Sequence, residues 1–390
     1  MPLLFSRTDK SRIAEWWWTV DRSILAGLFA IITFGVMLVT AASPAVANRI
    51  DVTEGHFILK HMIFLVPSVV LMLALSFCQP RTIWRIATLV MAGGLFMMLL
   101  VPFIGAETKG AQRWISLGFV SIQPSEFIKP AFAIIAAWLI SRQKENPAFK
   151  GYIYGMGLFL IIITLLLQQP DFGMTFVITC MFMAQIFLAG LPFRYLFVLL
   201  LIGLAGLALV YSSFDHVKSR IDRFLSPETT GGNYQVERSI EAFQSGGLWG
   251  TGPGQGVVKM SIPDSHADFI FAVGGEELGV FFITLLVLIY GFVVIRGFRN
   301  LHDSHDLFVI LACGGLLSMF ALQAFVHMGS NLHLLPTKGM TLPFISYGGS
   351  SLLSMGFAMG AVLSLTRRKA RRTIAKSGFS PKWPSPSMAN

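Results

Sequence analysis

Residues 263–272 of this chain read Pro-Asp-Ser-His-Ala-Asp-Phe-Ile-Phe-Ala. This stretch closes a polar interval that begins at about Tyr211, in a chain that otherwise consists of apolar runs. Its last carboxylate, Asp268, directly precedes the next hydrophobic segment. Membrane proteins rarely keep many titratable groups at a bilayer boundary unless those groups handle a polar substrate. The pattern therefore indicates a membrane-embedded catalyst or transporter whose working loop ends at Asp268.

Composition supports an integral membrane protein. Of the 390 residues, 54% are hydrophobic and 13% are charged, whereas soluble proteins carry about a quarter charged residues. The net charge of +10 does not predict nucleic-acid binding, because many Lys and Arg residues flank apolar runs, where they set topology. The three cysteines, Cys78, Cys180 and Cys313, are too far apart to suggest a disulfide framework or a metal site.

The apolar runs predict an all-α membrane protein with about ten transmembrane helices. Each run is near the 20 or so residues that a bilayer requires. The predicted spans are about 22–42, 57–77, 83–103, 125–141, 151–168, 172–189, 194–211, 269–295, 306–328 and 344–366. A large outward-facing loop, about 212–268, separates helices 7 and 8.

Charge asymmetry predicts the topology. Most basic residues fall in one set of loops, so the positive-inside rule places both termini in the cytoplasm. The predicted organisation is a cytoplasmic N-terminal segment (1–21), a polytopic membrane domain (22–366) and a basic, Ser/Pro-rich cytoplasmic tail (367–390). We expect the first part of that tail to lie near anionic headgroups.

Asp268 is the first candidate for chemistry. It directly precedes an aromatic, apolar segment, where desolvation makes a carboxylate a stronger proton acceptor and hence a candidate general base. A helix-capping role is the alternative. Glu276 and Glu277 follow two turns deeper. Carboxylates at membrane depth indicate function by default, although polar helix packing is a real alternative for them.

Two further charged elements precede this loop. Glu126 and Lys129 lie at i,i+3 in a predicted helix, so they can pair, and such a pair should face the bundle interior. Both a structural salt bridge and a substrate-binding role remain open. Residues 110–118, GAQRWISLG, predict a short amphipathic segment on the membrane surface, in which Arg113 is a candidate to hold phosphate bidentately.

Other cations and turns complete the outer face. Arg220 and Arg223, at i,i+3, form either a small anion-binding face or part of a solvated helix. Lys338 is a candidate to bind a diphosphate. The glycine-rich run 246–256 permits close backbone approach to a ligand but lacks the ending of a phosphate-binding P-loop. The break at residues 168–173 predicts Asp171 as a helix cap.

Together these segments resemble the SEDS family of bacterial cell-wall polymerases over nearly the whole chain. The stretches that carry the resemblance are GAQRWISLG, IQPSEFIK, QPDFG, YQVERSIEAF, GGLWGTGPGQG, PDSHADFIFAVGGEELG and LPTKGMTLPFISYGGSS. The last looks like the division-associated, FtsW-like branch, with a RodA-like elongation polymerase as the alternative. The chain departs from the family at His327, Ser330 and His333, because family members usually carry small residues or asparagines in that stretch.

The resemblance implies a peptidoglycan glycosyltransferase that acts on lipid II at the outer face of the inner membrane, at the division septum. Asp268 matches the aspartate that the family needs, Glu126 and Lys129 match its conserved pair, and Arg113 matches a basic residue of its outer segment. Implied partners are a class B penicillin-binding transpeptidase and other divisome proteins. Mg²⁺ or another divalent cation is a candidate cofactor, and no organic cofactor is expected.

Three rival functions make different predictions. A lipid II flippase would carry charges along both halves of a path, whereas the ionisable groups here cluster on one side. A scaffold that only recruits other proteins would not need Glu126, Asp268 and Glu276 at membrane depth. A secondary transporter would more naturally show an internal repeat, and the sequence reveals none.

Overall fold

The computed structural model describes most of the predicted membrane domain. The described residues are 11–53, 55–108, 111–116, 118, 120–192, 234–336 and 339–367, with isolated positions between 194 and 218. Most of the predicted span 194–211 lies outside the described residues. So do Arg220, Arg223, Lys338 and most of the predicted tail.

The described residues form eleven α-helices and a small sheet. The helices are α1 Arg12–Thr19, α2 Arg22–Arg49, α3 His56–Ser76, α4 Pro80–Ile104, α5 Pro124–Glu145, α6 Gly151–Gln168, α7 Phe172–Leu188, α8 Tyr234–Gly246, α9 Ile270–His302, α10 Leu307–Asn331 and α11 Gly349–Leu365. The strands are β1 Ala106–Thr108, β2 Ala111–Ser116 and β3 Ser121–Ile122. A 3₁₀ turn spans Val258–Ser261.

Six of these helices, α2, α3, α4, α6, α9 and α10, are long and apolar enough to cross a membrane, and α7 and α11 are shorter apolar helices. The chain is thus a largely helical, multi-pass membrane protein. The predicted start of the last span at residue 344 is wrong, because α11 begins at Gly349. Phe344 has a left-handed backbone (φ 63°) within a turn closed by the Ser346 amide on the Leu342 carbonyl.

The segment around Arg113 is a strand in an antiparallel sheet. β2 pairs with β1 on one side and β3 on the other. The prediction of an amphipathic surface segment therefore missed the sheet. Two of its strands have only three and two residues, and the six residues of β2, AQRWIS, do not alternate between apolar and polar, so the sequence shows no strand periodicity.

Helix α5 lies at the centre of the core. It packs against α4 and α10, and most of its side chains are buried. Helices α3 and α11 pack closely along their length, and a Cβ at Gly356 would stand 2.5 Å from the Ser68 carbonyl oxygen. Small residues permit such close approach between membrane helices.

Helix α9 is interrupted at Gly279, whose backbone is non-helical (φ 77°, ψ 179°). The glycine-rich loop lies in the break. Thr251 and Gly252 donate backbone N–H groups to the carbonyls of Glu276 and Glu277, at 2.9 and 3.0 Å. Gly250 has φ 82°, and a Cβ there would stand 2.2 Å from the Glu277 carbonyl oxygen. Gly250 therefore serves close packing within the protein, and close approach of a ligand to this run stays a prediction.

Asp21 connects the start of α2 to the end of α9. Its carboxylate accepts the backbone N–H groups of Ser23 and Ile24, the Arg296 Nε at 3.0 Å and the Asn300 Nδ2 at 2.9 Å. Burial alone would raise the pKa of Asp21, but the hydrogen bonds from Asn300 and Ile24, together with the charge of Arg296, lower that pKa overall.

Candidate functional site

Asp268 lies at the end of a tight turn that leads into α9. Asp264 has a left-handed backbone (φ 54°), and its carbonyl accepts the N–H groups of Ala267 and Asp268, both at 3.0 Å. The Asp268 carbonyl in turn accepts a hydrogen bond from the Asn331 Nδ2 at 3.0 Å. Asp268 is partly exposed, whereas Phe269 and Ile270, which follow it, are buried.

A second loop, residues 339–347, faces the Asp268 turn. Gly339 has φ 59°, and a Cβ there would stand 3.4 Å from the Asp268 Oδ2. The Ser346 hydroxyl donates to the Ala267 carbonyl at 2.6 Å, and the Tyr347 amide donates to the His266 carbonyl at 3.0 Å. These bonds join the two loops. Gly339, which follows the candidate residue Lys338 in the sequence, lies beside the Asp268 carboxylate.

Aromatic rings pack behind this turn. The His266 ring lies 4.3 Å from the Phe57 ring and 5.1 Å from the Tyr347 ring, measured between centroids. His266 and Phe57 are both buried. His266 therefore packs between α3 and the second loop.

The predicted pair of Glu126 and Lys129 forms inside the bundle. The Lys129 Nζ lies 2.9 Å from the Glu126 Oε2, with both side chains buried. The same Nζ donates to the Gln323 Oε1 at 2.7 Å, and the Gln323 amide donates to the carbonyl of Thr341 at 3.1 Å. The buried ion pair is therefore linked by hydrogen bonds to the loop that faces Asp268.

Arg113 contacts the protein's own backbone. Its Nε donates to the Gln169 carbonyl at 3.0 Å, and its Nη2 donates to the Pro170 carbonyl at 2.5 Å. Asp171, which the sequence predicted as a helix cap, accepts the Met174 N–H and lies 4.0 Å from the Arg113 Nη1. Arg113 thus holds the turn between α6 and α7; its phosphate-binding role stays a prediction.

Glu276 and Glu277 hold the glycine-rich loop. Both are buried. The oxygens of Glu276 accept the backbone N–H groups of Val258 and Lys259 at 2.7 and 2.8 Å, while Glu277 accepts the Gly254 N–H at 3.0 Å and pairs with the Lys259 ammonium. These contacts indicate a positioning role for Glu276, and its contact with substrate stays a prediction.

The predicted divalent cation would need oxygen ligands at this site. Among the described residues, no group of three His, Cys, Asp or Glu side chains comes together to hold an ion. Mg²⁺ is commonly held by one or two carboxylates together with phosphate oxygens of the substrate. Asp268 supplies one such carboxylate, so a divalent cation stays a candidate that would depend on the substrate for its other ligands.

The site therefore combines a partly exposed carboxylate, two mutually bonded loops and a buried ion pair behind them. Such an arrangement can accept a proton at a fixed position beside an apolar surface. Sequence reasoning missed Gln323, Asn331 and Ser346, which join these parts. Gln323 was detectable as an amide within the otherwise apolar predicted span 306–328, where a polar side chain requires a partner. Asn331 lies beyond the predicted end of that span and within the observed helix.

Sequence comparisons find relatives over most of the chain. The FTSW_RODA_SPOVE family, described as cell cycle protein, matches residues 21–371. The chain is 42% identical to the probable peptidoglycan glycosyltransferase FtsW of Caulobacter vibrioides, covering 94% of both chains. It is 35% identical to the protein of the same name from Legionella pneumophila, covering 85% of this chain and 87% of that protein.

Solved structures share the fold. A structure described as structural coordination of polymerization and crosslinking by a peptidoglycan synthase complex matches with a TM-score of 0.75 and 26% identity, covering 90% of this chain and 98% of that one. The rod shape determining protein RodA of Thermus thermophilus matches with a TM-score of 0.66 and 27% identity, covering 90% of this chain and 97% of that one.

Proposed function

The chain belongs to the FTSW_RODA_SPOVE family, and from this premise we propose that it is a peptidoglycan glycosyltransferase of the FtsW type. It polymerises lipid II into glycan strands at the outer face of the bacterial inner membrane during cell division. The FtsW name of its relatives supports the division role over an elongation role. Both termini lie in the cytoplasm, and the enzyme works at the septum.

The observation that carries this proposal is the exposure of Asp268. Glu126, Glu276 and Glu277 are buried among protein donors, whereas Asp268 is partly exposed where the two loops meet. A general base must reach the proton that it removes, so accessibility favours Asp268 among these four carboxylates.

The chemistry is a displacement at the anomeric carbon of a lipid-linked sugar. An acceptor hydroxyl oxygen forms the new bond to this carbon while the bond from the carbon to the diphosphate oxygen breaks. The hydroxyl proton passes to the Asp268 carboxylate, and the electron pair of the broken bond leaves with undecaprenyl diphosphate. The fixed position of Asp268 removes part of the entropic cost of bringing base and hydroxyl together.

The leaving group carries negative charge, which cationic side chains stabilise. We assign this role to Lys338, which immediately precedes Gly339, and to Arg220 and Arg223 of the outward loop. Arg113 is a further candidate if the loop that it holds opens toward substrate. When bound, Mg²⁺ or another divalent cation would add charge neutralisation at the diphosphate.

The partner is a class B penicillin-binding transpeptidase. The match to a peptidoglycan synthase complex that coordinates polymerization and crosslinking supports such an assembly. Other divisome proteins bind the complex at the septum. Glu126 and Lys129 shape the cavity from within the bundle rather than contact the leaving group, because both are buried.

The test is lipid II polymerisation by the purified full-length protein with its transpeptidase. Glycan products of the native chain are compared with those of Asp268→Ala and Asp268→Asn. Asp264→Asn is the matched control, because it removes a carboxylate from the same turn and asparagine also accepts a left-handed backbone. Melting temperature and partner binding are measured for every variant.

We expect polymer from the native chain and the control, and none from the folded Asp268 variants. Normal polymerisation by both Asp268 variants would place the base elsewhere. If the native complex makes no polymer but moves lipid II across vesicles, the flippase replaces the polymerase as the function.

A further inference from the structure

Three polar side chains form a stripe along α10. Gln323, His327 and Asn331 follow one another at intervals of four residues, so they share one face of the helix. All three are fully buried. We name these residues the polar stripe. Buried polar groups in a membrane helix are costly unless they are bonded, so their partners indicate what they do.

The first two stripe residues hold the loop that faces Asp268. The Gln323 amide nitrogen donates to the Thr341 carbonyl at 3.1 Å, while its oxygen accepts from the Lys129 ammonium. Since an ammonium only donates and a carbonyl only accepts, this amide has one satisfactory orientation. The His327 Nδ1 lies 2.6 Å from the Met340 carbonyl oxygen, so Nδ1 carries the proton.

The third stripe residue holds the Asp268 turn itself. The Asn331 Nδ2 donates to the Asp268 carbonyl at 3.0 Å and to the His327 carbonyl at 2.9 Å. Its Oδ1 accepts the Ala272 N–H at 3.3 Å, at the start of α9. One face of α10 thus bonds both loops of the site at three backbone carbonyls, those of Asp268, Met340 and Thr341.

We propose that the polar stripe positions the Asp268 carboxylate relative to the loop of residues 339–347, and that it thereby sets the rate of glycosyl transfer without touching substrate. This inference rests on the proposed function. It also gives a role to His327, for which the sequence alone indicated none. In the described part of the chain, His327 Nε2 has no hydrogen-bond partner, so its Nδ1 bond to Met340 is the contact that matters.

Small displacements of this geometry have large kinetic effects. A misplacement of about 1 Å in a catalytic arrangement costs up to about 100-fold in rate. Loss of a stripe bond leaves the substrate-contacting groups unchanged, so it should lower kcat and leave KM for lipid II nearly unchanged.

The test compares two amide substitutions at His327. In His327→Asn the amide nitrogen takes the position of Nδ1 and keeps the bond to Met340. In His327→Gln the amide reaches the position of Nε2 and loses that bond. The pair has matched chemistry and differs in where the donor sits. Phe325→Leu is the control, because Phe325 lies on the exposed side of α10.

We expect His327→Gln to lower kcat about tenfold or more, with KM within about twofold, while His327→Asn and Phe325→Leu stay near the native rate. Asn331→Ser gives a second test through the other loop. The serine hydroxyl can bond the carbonyl of His327 but is too short for that of Asp268. It should also lower kcat selectively. All rates refer to protein with native-like melting that binds the transpeptidase.

The outcomes separate this inference from the proposed function. If folded His327→Gln and Asn331→Ser polymerise at the native rate while Asp268→Asn is inactive, the stripe is not a positioning device and the proposed function stands. If the two His327 variants are equally slow, the Met340 bond is not the cause, and the inference is also wrong. Normal polymerisation by Asp268→Asn overturns the proposed base instead.

Discussion

Substitution of Lys129 by methionine tests the buried ion pair of α5. The change removes the ammonium and keeps a straight, unbranched side chain. Glu126 then remains buried opposite an apolar group, and Gln323 loses its donor. At 2.9 Å the attraction between the charges is about 6 kcal/mol for an effective dielectric constant near 20. Desolvation offsets much of this attraction.

The net cost therefore depends on which charge remains. Breaking a buried pair by removing one partner costs about 3–5 kcal/mol, because it leaves an uncompensated charge. We expect Lys129→Met to lower the free energy of unfolding by that amount. The double variant Glu126→Gln with Lys129→Met removes both charges and should recover about 2 kcal/mol or more of the loss.

The same helix supplies a matched control. Arg142 and Glu145 also stand at i,i+3 and lie 3.1 Å apart, but their side chains are 53% and 68% exposed. Arg142→Met should cost about 0.5 kcal/mol or less, because water screens the pair. The assay is unfolding of the purified protein in detergent by denaturant titration. An equal cost for Lys129→Met and Arg142→Met would refute the reasoning.

Three further predictions concern other parts of the fold. Gly250→Ala should lower stability by about 2 kcal/mol or more, through left-handed strain and a backbone clash, whereas Gly157→Ala, which meets open space, should melt like the native chain. Arg113→Lys should cost about 1–2 kcal/mol and increase proteolysis at the α6–α7 turn, since it loses paired donors. At pH values above the ordinary pKa of an aspartate, the ionised Asp21 carboxylate stabilises the fold, and this stabilisation is lost as the pH falls through the lowered pKa of the folded state. As the pH is lowered, the free energy of unfolding should fall less steeply for Asp21→Asn than for the native chain. Identical slopes of the free energy of unfolding against pH would contradict the prediction.

Much of the fold could be predicted because bilayer length and hydrophobicity are local properties. The predicted span 151–168 coincides with α6, and that of 172–189 differs from α7 by one residue. The error at α11 arose because residues 344–348 are apolar enough to extend a run, although their backbone turns. Hydrophobicity predicts that these residues are buried, but it does not distinguish a helix from a turn.

The candidate site was less accessible to prediction. Asp268 and the pairing of Glu126 with Lys129 followed from local sequence, since position and spacing defined them. The bonds that join the site connect residues far apart in the chain, such as Lys129 with Gln323 and Ser346 with Ala267. No spacing rule identifies these pairs. The four-residue interval of the polar stripe was visible, but its partners depend on how α10 packs.

The interruption of α9 has a consequence for membrane insertion. Its carbonyls at Glu276 and Glu277 receive donors from Thr251 and Gly252, and Thr251 is made 25 residues before Glu276. A carbonyl left unbonded in hydrocarbon costs several kcal/mol. Because the chain is synthesised from its N-terminus, the donors already exist when the carbonyls that need them are made. A circular permutant that places α9 before the glycine-rich loop would reverse this order and expose the broken helix to lipid.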